Sequence, residues 1–257
     1  MSLKQRMEAA AEAVSGAGEL TLEYFQKGVE VETKADLSPV TVADREAENF
    51  LVEFLASRFP GDGFLGEELG ERPGSSGFRW VIDPIDGTKA FVHGVPLFGV
   101  LVGLEDPDRE AVAGAICLPA LGESIIAAKG EGCFWNGHRT KVSGVAALSA
   151  AFVVYGEEEC FDSENTVEMR KRLHQSALLV RGLGDCYGHM LVATGRAEAM
   201  LDPIVSDWDS VAVCPIVEEA GGIFTDWAGH RTATGKSAIS TNAGIGAEIR
   251  ALVAEFS

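Results

Sequence analysis

The segment Arg79-Trp80-Val81-Ile82-Asp83-Pro84-Ile85-Asp86-Gly87-Thr88-Lys89-Ala90-Phe91 changes character along its length. It begins as an apolar, β-rich run of the kind that forms a buried strand. Asp83 then falls at the strand's end, where Pro84, lacking an amide proton, is expected to stop the ladder. Asp86 follows, and Gly87 permits a tight backbone turn. Two carboxylates on one rigid loop beyond an apolar strand repel each other unless something offsets their charge. A divalent cation does this. Mg²⁺ takes hard oxygen ligands and keeps waters and substrate phosphate in its shell. The carbonyl of Ile85, between the acids, is a third oxygen of the same kind. Asp, Pro and Gly are also turn formers, so the loop taken alone is more often a solvated turn. It is not an EF-hand, because no Glu closes a calcium loop of that type.

Beyond this loop, LFGVLVGL, AVAGAICL and ESIIAA are short β-rich runs separated by turn residues. GEGCFWNG reads as a strand closing in an Asn136-Gly137 turn. A sheet is therefore expected from about Arg79 to Phe134. Upstream, the first 26 residues form one helical pattern, with Ala9, Ala10, Ala13, Val14, Ala17, Leu20 and Phe25 on one stripe. A second helix is predicted from Thr41 to Phe59 on Ala43, Ala47, Phe50, Leu51, Phe54 and Leu55. Thr41 caps it and places Asp44 at its third position.

The last third alternates strand with helix. AFVVY, ALLVRG, AEAML and IFTDW read as strands, and CYGHMLVAT reads as a buried helix ending at Gly195. DSVAVCPIVEEAGG is predicted as one helix, with Pro215 in a first turn or at a kink. The fold class is α/β (α+β). Residues 1–141 form an α+β subdomain with most of the candidate metal ligands, and 142–257 form an α/β subdomain, although no sequence marker stands at the boundary.

Three further acidic loci stand at element ends. FLGEELG sets Glu67 and Glu68 in a Gly-bounded turn, WDSVAV sets Asp209 at a helix start, and Asp44 occupies a first helical turn. Each has a structural explanation by itself: Glu67 and Glu68 as a solvated loop, Asp209 and Asp44 as capping residues. Together with Asp83 and Asp86 they make a constellation. The histidines His93, His138, His174, His189 and His230 have no metal-like spacing and are read as bystanders, His189 being nearest to the active segments.

Bulk properties narrow the function classes. The 257 residues are 46% apolar and 23% charged, ordinary for a globular chain, and allow one large domain or two intimate subdomains. A net charge of −18 argues against nucleic-acid binding, which needs clustered Lys and Arg. Cys117, Cys133, Cys160, Cys186 and Cys214 are widely spaced, without CxxC, which disfavours disulfides and structural zinc. The N-terminus lacks a signal peptide's apolar core, and no apolar run reaches the ~20 residues that span a membrane. A cytoplasmic location and no membrane partner are expected.

GEEL, WVIDPIDGT, GEGCFWNG and WDSVAVCPIVEEAGG, in this order, resemble the inositol monophosphatase family, and the likeness extends back to Lys34–Asp44. The resemblance implies a layered αβαβα sandwich, commonly dimeric, and a phosphatase that uses two or three Mg²⁺ ions, with Mn²⁺ as a substitute. It implies that Glu67, Asp83 and the Ile85 carbonyl hold one ion, and that Asp83, Asp86 and Asp209 hold a second. Glu67 would face a weaker third site, with Glu68 nearby. Asp44 and Thr88 would position and activate the attacking water, with Glu67 assisting. The Gly87 and Thr88 amides would cradle a phosphate.

This chain departs from typical inositol phosphatases at Arg181-Gly182-Leu183-Gly184-Asp185, where they carry small neutral residues before the buried helix. The stretch RGLGDCYGHMLVATGRAEAMLDP resembles the family's histidinol-phosphatase branch. Histidinol phosphate carries an ammonium and an imidazole, for which Asp185 and Asp202 are suitable partners, whereas inositol offers neutral hydroxyls. Asp185 is also a possible N-cap. Histidinol phosphate is the expected substrate, with inositol phosphate or broad polyol-phosphate specificity as the alternative. A silent metal- and phosphate-binding paralogue is less favoured, because every acid and Thr88 is present.

Overall fold

The computed structural model describes residues 2–34, 38–161 and 164–256. Part of the family-like stretch Lys34–Asp44, residues 35–37, lies outside them. In chain order the elements are α1 (Leu3–Tyr24), β1 (Val31–Thr33), β2 (Pro39–Thr41), α2 (Val42–Arg58), β3 (Gly63–Gly66), β4 (Gly70–Arg72), β5 (Arg79–Asp86), α3 (Thr88–Val92), β6 (Gly99–Glu105), β7 (Ala111–Leu118), β8 (Glu123–Ala128), β9 (Gly132–Trp135) and β10 (His138–Arg139). The second half adds β11 (Phe152–Tyr155), α4 (Glu164–Ser176), β12 (Leu179–Gly182), α5 (Asp185–Ala193), β13 (Ala199–Asp202), α6 (Asp207–Ser210), α7 (Val213–Glu219), β14 (Ile223–Thr225), β15 (Ala238–Thr241) and α8 (Gly246–Ala254).

Side-chain alternation along β5 sets the layering, since successive residues of a strand face opposite ways. Trp80 and Ile82 turn to one face of an eight-stranded sheet, ordered β10-β9-β8-β7-β6-β5-β3-β4, and pack with Ala10, Ala13 and Ala17 of α1 and Leu51 and Leu55 of α2. Val81 turns to the other face, with Leu101 and Ile116, against Met190 of α5 and Val213 and Ile216 of α7. Beyond those helices lies a five-stranded sheet, β12-β11-β13-β15-β14. Its far face is covered by Met169 and Leu173 of α4 and Ile249 and Val253 of α8. The order is αβαβα, as the family resemblance implied.

Two expectations need correction. Pro84 does not stop the ladder: β5 runs on to Asp86, with Asp83 opposite Leu101 and Asp86 opposite Gly99. Three steps on β5 thus face two on β6, a bulge that absorbs the missing amide of Pro84. The predicted helix over DSVAVCPIVEEAGG is two helices, α6 and α7, broken at Val211–Ala212, and Pro215 sits in the first turn of α7. Pro215 has no amide proton for Val211 O, which opens the break, and the sheet beneath is shaped to receive it. Gly103 and Gly114 are cross-strand partners, and Cβ atoms there would lie 2.7 Å from Ala212 N and 2.0 Å from Ala212 O. The bare backbone of the sheet receives the backbone of the break directly, and α6 is seated on β5.

Candidate active site

The bulge at Pro84 carries Asp83 and Asp86, and α6, held on the same sheet, delivers Asp209. Carboxylate oxygens of the three lie within 4.8 Å of one another. Each acid is oriented by an amide. Asp83 Oδ1 accepts from Ile85 N (3.0 Å), Asp86 Oδ2 from Cys186 N (2.6 Å) and Asp209 Oδ2 from Ser206 N (2.7 Å). Burial, together with Glu67, Asp86 and Asp209, raises Asp83 well above the ordinary aspartate range. Burial, Asp185 and Asp209 do the same to Asp86. Asp209 is pushed up to about 6, chiefly by burial. Buried like charges at this spacing cannot all ionise without a cation. The donor set is hard oxygen throughout, which suits a hard divalent cation such as Mg²⁺ or Mn²⁺.

Glu67 follows the end of β3, where its amide donates to Ile82 O (3.2 Å), extending the parallel pairing with β5. Its carboxyl is hydrogen-bonded to Asp83 and is raised by burial. It also receives Lys34 Nζ at 2.7 Å, and the same ammonium pairs with Glu68. Burial opposes the charge on Lys34, but the two carboxylates outweigh it and lift the amine above its usual range. Lys34 was not singled out from sequence. It comes from the β1–β2 hairpin, distant in the chain, and nothing local marks it.

Asp44 caps α2 as expected, accepting from Thr41 N (2.8 Å) and Thr41 Oγ1 (2.7 Å) through one oxygen. Its other oxygen is buried and has no hydrogen-bond partner among the described residues. Burial pushes the group up to about 6 despite the Thr41 bonds. Its neighbour Ala43 packs against Ile85, placing Asp44 beside the β5 loop. Thr88 Oγ1 donates to the Ile85 carbonyl (2.9 Å), so the hydroxyl keeps its lone pairs for an incoming donor. Gly87 adopts φ 81°, ψ 39°, which favours glycine, and turns the chain into α3.

A cavity of about 100 Å³ opens beside these acids, lined in part by Asp86, Asp209, Asp185, Asp202, Glu157 and His189. Asp185 is not an N-cap. Gly184 holds that position, and Asp185 has φ 58°, in the left-handed region that Asp tolerates at some cost. A Cβ on Gly87 would meet Asp185 Oδ2 at 2.9 Å, so this acid stands over Gly87 and beside Asp86, not on a remote wall. Burial and Glu157 push it up to about 6. Asp202, at the end of β13, is raised by burial and then by Asp185, Asp209 and Glu157. Glu157 was missed in the sequence; it pairs with Lys89 of α3 at 2.6 Å.

His189, read as a bystander, lies in the cavity wall. Its Nδ1 is 2.7 Å from Ser240 Oγ, and burial lowers it to about 3, so the ring is neutral. Also missed was Glu48 of α2, wholly buried, whose carboxylate accepts from Glu68 N (2.8 Å) and Leu69 N (3.0 Å). Burial pushes it up to about 7 against those two bonds. It lies one helical turn after Asp44 on the same face, among Ala47 and Leu51, and an acid in an apolar stripe was the available signal. No helix among the described residues is long and apolar enough to cross a membrane.

Residues 2–255 match the inositol monophosphatase family. A histidinol-phosphatase of Chlorobaculum parvum is 45% identical over 249 residues, covering 96% of each chain. A histidinol-phosphatase of Mycobacterium tuberculosis is 38% identical, over 88% of this chain and 89% of that protein. Among solved structures, the Thermotoga maritima IMPase superposes with a TM-score of 0.90 at 30% identity, over 98% of both chains. The layered fold, the acidic loci and these similarities agree: the chain belongs to the inositol monophosphatase family of Mg²⁺-dependent phosphoric monoester hydrolases.

Proposed function

We propose that the protein hydrolyses histidinol phosphate to histidinol and phosphate. The observation that carries this reading is the acidity of the cavity beside the trio. Asp185, Asp202 and Glu157 all line it, and Lys and Arg are absent from its lining among the described residues. An ammonium or imidazolium gains charge-assisted hydrogen bonds from such a wall, whereas a polyol gains little from it. The two histidinol-phosphatase relatives support the same choice.

In this reading Asp83, Asp86 and Asp209 hold one divalent cation, and Glu67, Asp83 and the Ile85 carbonyl hold another. A bound cation neutralises the phosphate and makes water a better nucleophile. The chain's own groups do the rest. Gly87 and Thr88 offer amides to the phosphate from the loop that opens α3. The Thr88 hydroxyl, its proton committed to Ile85 O, accepts from the attacking water. The unpartnered oxygen of Asp44 takes that water's proton. Glu67 reaches the same space when Lys34 releases it.

The acidic wall is tested by Asp202→Asn and Asp185→Asn. With Mg²⁺ saturating, each should lower kcat/KM for histidinol phosphate at least about tenfold relative to inositol 1-phosphate, the scale of one lost charged hydrogen bond. An unchanged ratio of the two substrates in both variants would remove the wall from substrate choice.

A further inference from the structure

We propose that Glu48 is a positioning residue for the cation centre: from beneath the Glu67–Glu68 turn it holds that turn's amides and so fixes where the two carboxylates point. The inference rests on the reading that Glu67 ligates a cation.

The turn between β3 and β4 is closed by the Gly66–Gly70 pair and its carboxylates are bridged by Lys34, but its own amides need a further anchor. β4 is exposed along its whole length, and Leu69 is 52% exposed. On one side the Glu67 amide is tied to Ile82 O at 3.2 Å. On the other, the next two amides, Glu68 N and Leu69 N, both donate to the Glu48 carboxylate, at 2.8 and 3.0 Å. Glu48 itself cannot drift, because α2 is pinned by Ala47, Leu51 and Leu55, all at 0% exposure. Three consecutive amides are thereby fixed to two rigid elements, β5 and α2. The Glu67 side chain springs from the middle of that arrangement.

Gly66 shows how closely the two parts fit. A Cβ on Gly66 would lie 1.7 Å from Glu48 Oε1, so the carboxylate occupies the space that any larger residue would need. Burying an acid against a site already crowded with acids costs stability. Burial raises Glu48 to about 7. An apolar residue at this place on the stripe would serve packing better. A carboxylate has two oxygens spaced to receive two adjacent amides, which no neutral side chain of this length provides.

Two substitutions separate positioning from packing. Glu48→Gln preserves shape but has one acceptor oxygen, and it turns an NH₂ toward the second amide. Gly66→Ala leaves the carboxylate in place chemically but displaces it. Mn²⁺ binding is measured by titration calorimetry on the folded protein, with Mg²⁺ activation curves beside it. Both variants should retain the wild-type circular dichroism spectrum. Each should weaken Mn²⁺ binding by roughly tenfold or more, the usual loss when a ligand's support is removed. The Mg²⁺ concentration for half activation should rise correspondingly, while kcat at saturating Mg²⁺ changes less than threefold or so. In a Glu48→Ala background, Gly66→Ala should add little, since the group it displaces is gone.

A folded Glu48→Gln with wild-type Mn²⁺ affinity overturns the inference alone. Loss of the fold in that isosteric variant also overturns it, since Glu48 would then serve the core. A wild-type protein that takes up no Mn²⁺ overturns the metal reading and this inference with it.

Discussion

Replacing Asp209 by Asn should make the metal-free protein more stable while abolishing its activity. The opposite signs follow from one cause. Asp209 has its carboxyl raised from 3.8 to about 6, chiefly by burial, with Glu67 and Asp185 adding to it. A shift of that size corresponds to about 3 kcal/mol, and screening at this partly exposed group trims it to about 2 kcal/mol. An acid raised in the folded state binds its proton more tightly there than in the unfolded chain. The penalty is therefore absent below the unfolded value, grows as pH rises through about 6, and is complete above it. Asparagine keeps an oxygen for the Ser206 amide, which bonds Asp209 at 2.7 Å, and its NH₂ can donate to Asp83, which now shares a hydrogen bond with Asp209. For a chain of this size, about 2 kcal/mol moves the melting temperature by roughly 5 °C. Thermal unfolding in EDTA should show Asp209→Asn melting about 5 °C above wild type at pH 8, with the gain vanishing near pH 4. Adding Mn²⁺ should raise the wild type past the variant, and phosphatase activity of the variant should fall at least about a hundredfold. A variant less stable than wild type in EDTA at pH 8, or one that keeps wild-type activity, would refute the reasoning.

Asp86→Asn should likewise cost about a hundredfold or more in rate with the fold intact, since the Cys186 amide still finds an acceptor; circular dichroism and phosphate release check this together. His189 predicts an acid limb of stability. Burial lowers its folded value to about 3, so the stability it contributes is present above about 6.5 and is lost as pH falls toward 3. At pH 5 that loss is about 2 kcal/mol, and His189→Gln, which can keep the Ser240 bond, should lose less stability between pH 7 and 5 in urea titrations. Equal pH slopes for the two proteins would contradict it.

The parts of the site legible in the sequence are those fixed by local chemistry. Asp83 and Asp86 stand where the apolar run of β5 meets its turn residues, Asp44 behind the Thr41 cap, and the Asn136-Gly137 turn has two positive φ angles of 47° and 77°, but the bulge that carries β5 past Pro84 was not legible. The αβαβα layering came through the family resemblance, and β5 alone shows why it holds, since adjacent residues of that strand feed two different helical layers. What was not legible depends on meetings across the fold. Lys34 reaches Glu67 from beyond the exposed strand β1, Glu157 reaches Lys89 from 68 residues away, and Glu48 meets the amides of Glu68 and Leu69 across 20 and 21 residues. The split of α6 from α7 has a local mark in Pro215, which gives no amide to Val211 O, whereas the seat of the break on Gly103 and Gly114 belongs to another element. Asp185 was legible as an unusual residue but not as one bent over Gly87, which needs its left-handed φ. The helices α4 and α8 went unread; α4 carries alternating charge with few apolar anchors.

The reaction and its substrate meet in one measurement: phosphate release by the wild-type protein from histidinol phosphate and from inositol 1-phosphate, side by side, with Mg²⁺ and with EDTA. Faster turnover of histidinol phosphate, abolished by EDTA, is the predicted result. Faster turnover of inositol 1-phosphate would contradict the acidic-wall reading, and turnover that survives EDTA would contradict the carboxylate centre itself.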